Sequence, residues 1–385
     1  MMKKLSCVLA VLLFTAAAGA RTGDFEIQGG VLVKYRGSAA HVVVPEGVTA
    51  IGEGAFNGCK SLVSVTLPGG LTSIGKEAFF LCFGLRSINL PAGLITIGEG
   101  AFSSCLSLRS ITLPAGVTAV GKGAFYGCVS FVSITLPAGL TAIGDSAFSA
   151  CESLVSITLP ASLVTIGEGA FSSCLSLRSI ALPAGVTAVG KGAFYGCDKL
   201  TAIRVDRASR VYADREGALF NKVFTELIQY PAGKTASGYT VPEGVTHIGY
   251  GAFAYCESLN SINLPASLTA IGDNAFARCK NLVSIIFPAG LTGIGEMAFF
   301  YCTSLNLITL SAGLTAVGEG TFFGCSNLVS ITVPALEPPA LDGGLWDLER
   351  NEPPAIIRVP AAALEAYRNA PGWRDHADRI RAIGD

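Results

Sequence analysis

The apolar residues of this chain recur in one pattern at intervals of 23 residues. In the stretch from Leu62 to Phe80, Val65 and Leu67 alternate with Ser64 and Thr66, which is typical of a short strand with one face in a core. A fixed period of this length predicts a solenoid, in which each repeat covers the apolar face of its neighbour and none folds alone. Cysteine marks the period most clearly, in two series: Cys59, Cys82, Cys105, Cys128, Cys151, Cys174 and Cys197, then Cys256, Cys279, Cys302 and Cys325.

The rest of each repeat predicts how the coil closes. Pro68 ends the strand because proline has no N–H to donate to a neighbouring strand. Leu71 and Ile74 are predicted to point into the core from the next side of the coil, and Gly75 is predicted to turn the chain. The four residues that end at Phe79 (Lys-Glu-Ala-Phe) then predict a helical turn that places the phenyl ring in the core. The predicted fold class is an α/β solenoid with one short parallel strand and one short helical turn per coil.

Phenylalanine and cysteine each recur at one phase, so both are predicted to form columns through the core. Beyond residue 20 the chain has eleven cysteines, an odd number. Side chains at one phase of stacked coils are parallel and about 5 Å apart, which aims their sulfur atoms poorly for disulfides. Because a free cysteine packs as a small hydrophobe, we expect buried, unpaired thiols. The phenylalanines at one phase are Phe56, Phe79, Phe102, Phe125, Phe148, Phe171, Phe194, Phe253, Phe276, Phe299 and Phe322.

The repeat matches a known sequence motif. Leu154 to Cys174 carries the string L-x-x-I-x-L-P-x-x-L-x-x-I-G-x-x-A-F-x-x-C, and Leu108 to Cys128 carries it with valine at two apolar positions. This string resembles the leucine-rich repeats of BspA-like proteins, the treponemal-type 23-residue class, from about Phe25 to the C-terminus. The resemblance implies a leucine-rich repeat solenoid that attaches to host extracellular-matrix or plasma proteins such as fibronectin, or to other bacterial cells.

The period is broken once, because Cys197 and Cys256 lie 59 residues apart. Alternating apolar residues around Asn221-Lys222 predict a hairpin there, and the chain start has a similar pattern. The internal hairpin is either a relic of joined modules, which we favour, or a bulge that aids binding. The predicted organisation is a signal peptide (1–20), an N-terminal hairpin cap (21–45), a first repeat array (46–205), a hairpin insertion (206–241), a second repeat array (242–334) and a mixed C-terminal cap (335–385).

The composition of the last fifty residues differs from that of the repeats. Ile356 to Val359 predicts a final strand. Ala361 to Asn369 predicts a helix that Pro371-Gly372 stops. We expect Trp373 to pack beneath this cap, with a ligand-binding tryptophan as the alternative reading.

Charge and the N-terminus bear on partners and location. A net charge of −1 argues against nucleic acid, since phosphate binding needs a basic excess. Lys3 and Lys4, an apolar run, and the small residues Ala18-Gly19-Ala20 predict a secretory signal peptide cut after Ala20. The alternative, a membrane anchor, would need a longer apolar run. The chain is therefore predicted to be exported, to the periplasm, the cell surface or the medium, with no membrane insertion after cleavage.

Residues that could support catalysis are scarce. The three histidines, His41, His247 and His376, have neither metal-ligand spacing nor a nearby nucleophile and carboxylate. Gly52-Glu53-Gly54 begins like a dinucleotide-binding loop but lacks the third glycine. We therefore predict no catalytic, metal-binding or cofactor-binding residues, and a protein that is not an enzyme.

The exposed face of the predicted sheet is the remaining candidate site. Its two columns hold mostly serine, threonine and asparagine, which suits a solvated face with cross-strand hydroxyl contacts. Ile286 and Leu307 depart from this rule in adjacent coils and place apolar area on a polar face. The candidate protein-contact residues are Ile286 and Leu307, with Arg86, Arg109 and Arg178 at the strand edge and Arg204 in the column.

Two function hypotheses follow. The first is an exported, non-enzymatic adhesion or binding protein that presents this surface to a protein partner. The second is a periplasmic envelope scaffold that organises other proteins without host contact. The ligand and the oligomeric state are left open.

Overall fold

The computed structural model describes residues 20–345 and 355–385, so residues 1–19 of the predicted signal peptide and Trp346 lie outside it. In the described ranges, no helix is long and apolar enough to cross a membrane. The one α-helix there, α1, spans Leu364–Asn369, and three 3₁₀ helices span Thr22–Asp24, Ala361–Ala363 and Trp373–Arg379. The described strands are β1 (Phe25–Gln28), β2 (Val31–Tyr35), β3 (His41–Val43), β4 (Ala50–Ile51), β5 (Ser64–Thr66), β6 (Ser73–Ile74), β7 (Ser87–Asn89), β8 (Thr96–Ile97), β9 (Ser110–Thr112), β10 (Ala119–Val120), β11 (Ser133–Thr135), β12 (Ala142–Ile143), β13 (Thr165–Ile166), β14 (Ser179–Leu182), β15 (Ala188–Val189), β16 (Ala202–Val205), β17 (Tyr212–Arg215), β18 (Ala218–Asn221), β19 (Glu226–Gln229), β20 (Gly238–Thr240), β21 (His247–Ile248), β22 (Ser261–Asn263), β23 (Ala270–Ile271), β24 (Ser284–Ile285), β25 (Gly293–Ile294), β26 (Leu307–Thr309), β27 (Ala316–Val317), β28 (Ser330–Thr332), β29 (Ala340–Leu341), β30 (Ile356–Val359) and β31 (Ile380–Ala382).

The coils stack as a solenoid of parallel strands, as predicted, but a typical coil contributes two strands where one was expected. Longer strands such as β5 and β7 pair in parallel with Ser64 opposite Ser87. Two-residue strands such as β6 and β8 form a second parallel ladder, with Ile74 opposite Ile97. Both registers advance by 23 residues, so equal phases of the repeat lie side by side. The second ladder was missed because two residues are too few to show an alternating pattern.

The predicted helical turn is not found, and a ladder of turns takes its place. Gly54 and Gly58 both have a left-handed backbone, with φ of 57° and 76°. A left-handed residue every fourth position is incompatible with an α-helix. The N–H of Ala55 bonds within its own turn to Gly52 at 3.3 Å, whereas the N–H of Phe56 bonds across to the next coil, to the carbonyl of Ala78, at 2.7 Å. We call this third side of the coil the turn side. Many of its backbone N–H groups donate hydrogen bonds to the neighbouring coil.

A glycine follows most of the two-residue strands, such as β6 and β15, and the close approach of neighbouring coils requires it. A Cβ on Gly75 would lie 2.9 Å from the backbone nitrogen of Glu53. A Cβ on Gly190 would lie 2.3 Å from the backbone nitrogen of Glu168. Because backbone atoms cannot move aside as a side chain can, any other residue at this phase would push the coils apart.

The phenylalanines form two stacked columns in the core. Within each array, neighbouring rings lie nearly parallel with centroids 5.0–5.8 Å apart. A tyrosine begins each column, since Tyr35 lies 5.2 Å from Phe56 and Tyr230 lies 5.2 Å from Phe253. The columns belong to two apolar cores that meet at β18, where Leu219 packs in the first core and Phe220 in the second.

The eleven cysteines of the described ranges are free thiols, and ten of them are buried. The thiol of Cys82 donates to the backbone carbonyl of Phe56 in the preceding coil at 3.1 Å. The same carbonyl accepts the N–H of Cys59 at 3.0 Å, so the thiol uses its second lone pair. Cys105, Cys128, Cys151, Cys174, Cys197, Cys279, Cys302 and Cys325 repeat the thiol bond at 3.1–3.2 Å. The column is therefore a ladder of weak hydrogen bonds as well as a packed row.

A hairpin opens each array in the same way. The antiparallel pair β1–β2 joins the first array through parallel pairing of β2 with β4. The antiparallel strands β17, β18 and β19 join the second through parallel pairing of β19 with β21. Tyr35 and Tyr230 each donate their N–H to an alanine carbonyl of the next coil, at 2.9 and 2.7 Å. The insertion therefore begins the second array in the way that the chain start begins the first.

The C-terminal segment covers the last coil. Strand β30 pairs with β28 and β31 pairs with β30, so the longer-strand ladder continues past the repeats. Trp373 is fully buried, donates its indole N–H to the carbonyl of Pro339 at 2.7 Å and meets Tyr367 edge-on at 4.9 Å. Because its ring is enclosed, Trp373 packs beneath the cap and does not offer a ligand surface.

Removal of a ring from the middle of the column should destabilise the whole array. Phe148 is fully buried between Phe125 and Phe171, each 5.5 Å away. We expect Phe148→Ala to lower the free energy of unfolding by about 3–5 kcal/mol, measured by chemical denaturation. The control Tyr126→Ala removes a ring that is 47% exposed and should cost far less. Equal losses for the two variants would contradict a stacked core.

The buried thiols should be unreactive and should make the fold sensitive to alkali. Burial raises the pKa of the Cys82, Cys128 and Cys197 thiols to about 12. At pH 8 we expect N-ethylmaleimide to modify at most the half-buried Cys59 in the folded chain, and all described cysteines in denaturant. Mass spectrometry counts the adducts, and rapid modification of several thiols in the folded chain would refute the ladder.

The same shift sets the direction of the pH dependence. Each buried thiol has a higher pKa in the folded chain than in the unfolded chain. Its contribution to the free energy of unfolding is therefore complete below the unfolded-state pKa of about 9, and it is lost as the pH rises toward the folded-state pKa of about 12. We expect the free energy of unfolding to fall above pH 9, by roughly 1.4 kcal/mol per pH unit for each thiol that ionises only on unfolding.

Candidate protein-contact surface

The outward side chains of the longer strands form a mostly polar surface, called here the hydroxyl face. In β9 and β11 the central isoleucine points into the core while the flanking serine and threonine are exposed, as the alternation of a strand requires. Polar contacts run from coil to coil along this face: His41 Nδ1 lies 2.8 Å from Ser64 Oγ, and Asn263 donates to Thr240 at 3.2 Å. The hydroxyl face is therefore built by the strand ladder itself.

Large apolar side chains interrupt the hydroxyl face at three exposed positions: Val43 in β3, and Ile286 and Leu307 in two neighbouring coils of the second array. Ile286 is 83% exposed and Leu307 is 59% exposed. Ile286 bridges in parallel to Thr309, two residues beyond Leu307, so the two apolar side chains are diagonal neighbours on adjacent strands. Adjacent strands are about 5 Å apart, which brings both within reach of one partner side chain.

Two further valines, which were not predicted from the sequence, extend this apolar area. Val283 and Val329 are 52% and 55% exposed, and each immediately precedes a strand of the face. The pattern that reveals them is the phase one residue before each strand, where Val283 and Val329 flank the polar Asn306. We call Val283, Ile286, Leu307 and Val329 the apolar patch.

The candidate arginines lie on the first array, apart from the apolar patch. Arg86 and Arg109 precede strands of consecutive coils, and Arg178 follows three coils later; all three are exposed. Within the described ranges, no carboxylate lies at ion-pair distance from these three arginines. Arg204 instead contacts Asp214 of the insertion at 3.2 Å. The longer strands β20 and β22 of the second array separate Arg204 from Ile286.

A cavity of about 300 Å³ lies where the two arrays meet. It is lined in part by Tyr212 and Asn221 of the insertion. The Tyr212 hydroxyl accepts the N–H of Val189 at 2.9 Å, where the two-residue ladder of the first array ends. The Asn221 side chain accepts the N–H of Thr225 at 2.9 Å and closes the hairpin turn. The Tyr212 hydroxyl therefore holds the insertion against the first array, while Asn221 shapes the hairpin itself.

Most ionisable groups with displaced pKa values belong to the core, the insertion and the caps, but burial also raises the pKa of Tyr195 on the turn side. Desolvation raises the thiol pKa values, so the thiols are protonated and weakly nucleophilic at neutral pH. Burial likewise lowers the pKa of His376, beneath the C-terminal cap. In residues 20–345 and 355–385, no three side chains among histidine, cysteine, aspartate and glutamate are grouped as metal ligands. What the arrangement offers chemically is an extended contact surface.

Comparison with known proteins agrees with this architecture. A leucine-rich cell surface protein from Faecalibacterium prausnitzii is 26% identical, with 94% of this chain and 93% of that chain covered and a TM-score of 0.64. A leucine-rich repeat protein from Bacteroides ovatus is 27% identical, with 92% and 94% covered and a TM-score of 0.54. The pneumococcal vaccine antigen PcpA, at 20% identity, 94% coverage of both chains and a TM-score of 0.62, shares the fold. Among curated proteins, none matches the sequence.

The repeat pattern itself is matched over most of the chain. The profile of the BspA type leucine rich repeat region, in six copies, matches residues 34–128, 118–216 and 232–337. The matched segments contain both phenylalanine columns and both thiol series. This chain belongs to the BspA-type leucine-rich repeat family.

Proposed function

We propose that this chain is an exported, non-enzymatic binding protein that presents its hydroxyl face to a protein partner at the cell surface. Leucine-rich repeat proteins are generally scaffolds or binders of other proteins, and the family assignment supports this role. The similar Faecalibacterium prausnitzii chain is named a cell surface protein, which supports the location. Export through the predicted signal peptide, residues 1–20, is part of the proposal.

The observation that carries the proposal is the apolar patch. Ile286 is 83% exposed on a face whose other side chains are mostly short and polar. A partner that buries a side chain of this size gains roughly 1.5–3 kcal/mol from the hydrophobic effect. Ile286 and Leu307 together thus provide a centre of affinity that the hydroxyls alone do not.

The rest of the hydroxyl face supplies the surroundings that a protein interface needs. Specific interfaces place apolar anchors at the centre and polar, hydrated groups at the rim. Serine, threonine and asparagine beside the patch form such a rim, since their hydroxyl and amide groups both donate and accept hydrogen bonds. Arg86, Arg109 and Arg178 add exposed donors at the edge of the first array.

The partner class follows from the resemblance to BspA-like proteins. We propose adhesion to host extracellular-matrix or plasma proteins, with fibronectin as the example, or to other bacterial cells. The repeat array suits such a task because its contact surface extends with each added coil.

Binding should depend on the apolar patch and not on the fold beneath it. We expect Ile286→Thr combined with Leu307→Ser to weaken binding to a matrix-protein panel at least tenfold, because it removes both anchors. Both replacements are the residues that the same columns hold elsewhere, so stability should change by less than about 0.5 kcal/mol. Solid-phase binding curves measure the effect.

A matched control comes from the first array. Val132 is 45% exposed at the phase of Val283 and Val329 but has no apolar neighbour like Ile286 on its strand. Val132→Thr should leave binding unchanged. If the wild-type chain binds no panel member saturably, the adhesion proposal is wrong; if the double variant binds as well as the wild type, the patch is not the site.

The alternative function, a periplasmic scaffold, differs in location. Arg207 and Arg210 are exposed in the insertion and offer trypsin sites. If the protein is at the surface, trypsin should cleave it on intact cells while a periplasmic marker protein survives. Cleavage that occurs only after the outer membrane is permeabilised would favour the periplasmic scaffold.

A further inference from the structure

A row of aromatic side chains crosses the turn side of the second array. Tyr195 meets Tyr255 edge-on at 5.2 Å, although the two residues belong to different arrays. In the later coils the Phe300 ring stacks on Phe323 at 5.3 Å, and Tyr301 meets Phe300 at 4.5 Å. All of these rings are partly exposed. We call the row the aromatic–arginine stripe, and its members are Tyr195, Tyr255, Arg278, Phe300, Tyr301 and Phe323.

Arg278 joins the two halves of the stripe. Its guanidinium carbon lies 5.6 Å from the ring centre of Tyr255, 5.9 Å from that of Phe300 and 5.3 Å from that of Tyr301. In the part of the chain that the structure describes, no carboxylate forms an ion pair with Arg278 and its side chain makes no hydrogen bond. The rings hold the cation in place and leave its planar fork of donors available.

The backbone beneath the stripe is in a conformation that large side chains avoid. Tyr255, Arg278 and Tyr301 have φ values of 62°, 61° and 54°. Bulky residues in the left-handed region cost free energy, and such strain is typical of functional positions. In the other coils the same position mostly holds small residues: Gly58, Leu81, Ser104, Gly127, Ala150, Ser173, Gly196 and Gly324.

Most of the first array lacks this arrangement, so the stripe is not a requirement of the repeat. Phe80 stands at the phase of Tyr195 and Phe300 but between Asn57 and Ser103. Tyr126 stands at the same phase between Ser103 and Ser149. Its ring is 47% exposed. The solenoid therefore folds with serine, alanine or glycine at these positions, and the aromatic rings of the second array are additional.

We propose that the aromatic–arginine stripe binds an acidic peptide segment of a partner protein, in which an aspartate or glutamate lies beside an apolar or aromatic residue. The carboxylate is the planar acceptor that matches the guanidinium of Arg278 in a two-bond contact. The apolar residue of the peptide packs on Phe300 and Phe323. Because these rings carry no polar group, they favour an apolar side chain over a ligand rich in hydroxyl groups. Arginine and tyrosine are enriched at the energetic centres of interfaces.

This second surface is distinct from the hydroxyl face and goes beyond the proposed function. The stripe lies on the turn side, whereas the apolar patch lies on the longer strands. A partner could therefore occupy one without the other, and the two proposals are tested by different variants.

The test is a selection from a displayed library of random twelve-residue peptides on the purified chain, with counter-selection on Arg278→Ser. Serine stands at this phase in Ser104 and Ser173, so the variant should fold. We expect the enriched peptides to combine an acidic with an apolar residue, and their affinity for Arg278→Ser to fall at least tenfold. Replacing the acidic residue by its amide should cause a similar loss.

Three controls make the outcome decisive. Tyr301→Gly should weaken binding of the peptides to the chain. It should keep or raise the midpoint temperature of thermal unfolding, because glycine suits the left-handed backbone. Tyr126→Ser and Ile286→Thr should leave peptide binding unchanged. The proposal is overturned if no peptide is enriched, if the enriched peptides bind Arg278→Ser as well as the wild type, or if heparin fragments bind through Arg278 and acidic peptides do not.

Discussion

Backbone hydrogen bonds between neighbouring coils hold this solenoid together, and the other features of the structure follow from them. They run through the ladders of longer strands and two-residue strands, and they continue along the turn side where both strand ladders are interrupted, between β7 and β9 and between β8 and β10. On the turn side this bonding requires left-handed residues four positions apart, as at Gly54 and Gly58. It also brings coils so close that Gly75 and its equivalents have no room for a Cβ. The coil spacing then sets the spacing of the phenylalanine rings and places most of the thiols beside a carbonyl of the preceding coil. Core composition and backbone geometry are thus parts of a single requirement.

Because the constraint acts on inward and backbone positions, the outward positions are free to differ between coils. Serine and threonine satisfy the hydroxyl face in most coils, and Ile286 and Leu307 replace them without altering the strand register. The turn side shows the same freedom, since Ser103, Tyr126 and Phe300 share one phase. Binding specificity in such a chain comes from a few departures on a uniform scaffold. The cysteine thiols do not contribute to this outer surface, because they are buried in the core and protonated.

The interruption between the arrays shows how a solenoid can be restarted. The insertion repeats the opening hairpin, with Tyr230 in the role of Tyr35, and β18 forms a wall with a separate core on each side. Tyr195 and Tyr255 nevertheless meet across the break. This arrangement supports the interpretation of the insertion as a relic of joined modules, since an added binding loop would not need the parts of a cap.

Much of this could be read from the sequence, because contacts between equivalent residues recur at a fixed interval and leave a visible period. The solenoid, the phenylalanine and thiol columns, and the exposure of Ile286 and Leu307 are all of this kind. The burial of Trp373 was instead predicted from its place beside the helix of the C-terminal cap. The helical turn was predicted wrongly because Lys-Glu-Ala-Phe has ordinary helix-forming residues, while the bonds to neighbouring coils outweigh that local preference. Val283 and Val329 were missed because their exposure depends on where a strand of only two or three residues begins.

The repeat, its inward columns and the family follow from the amino-acid sequence, since each of these depends on residues one period apart. Which departures from the repeat become neighbours depends on how the coils stack in the folded chain. Arg278 lies among Tyr255, Phe300 and Tyr301 because the coils stack those side chains against it, and Arg204 is paired because the insertion brings Asp214 to it. The physical reason is that the period specifies the position of a side chain along the chain, while its partners are set by the direction in which the folded backbone points it.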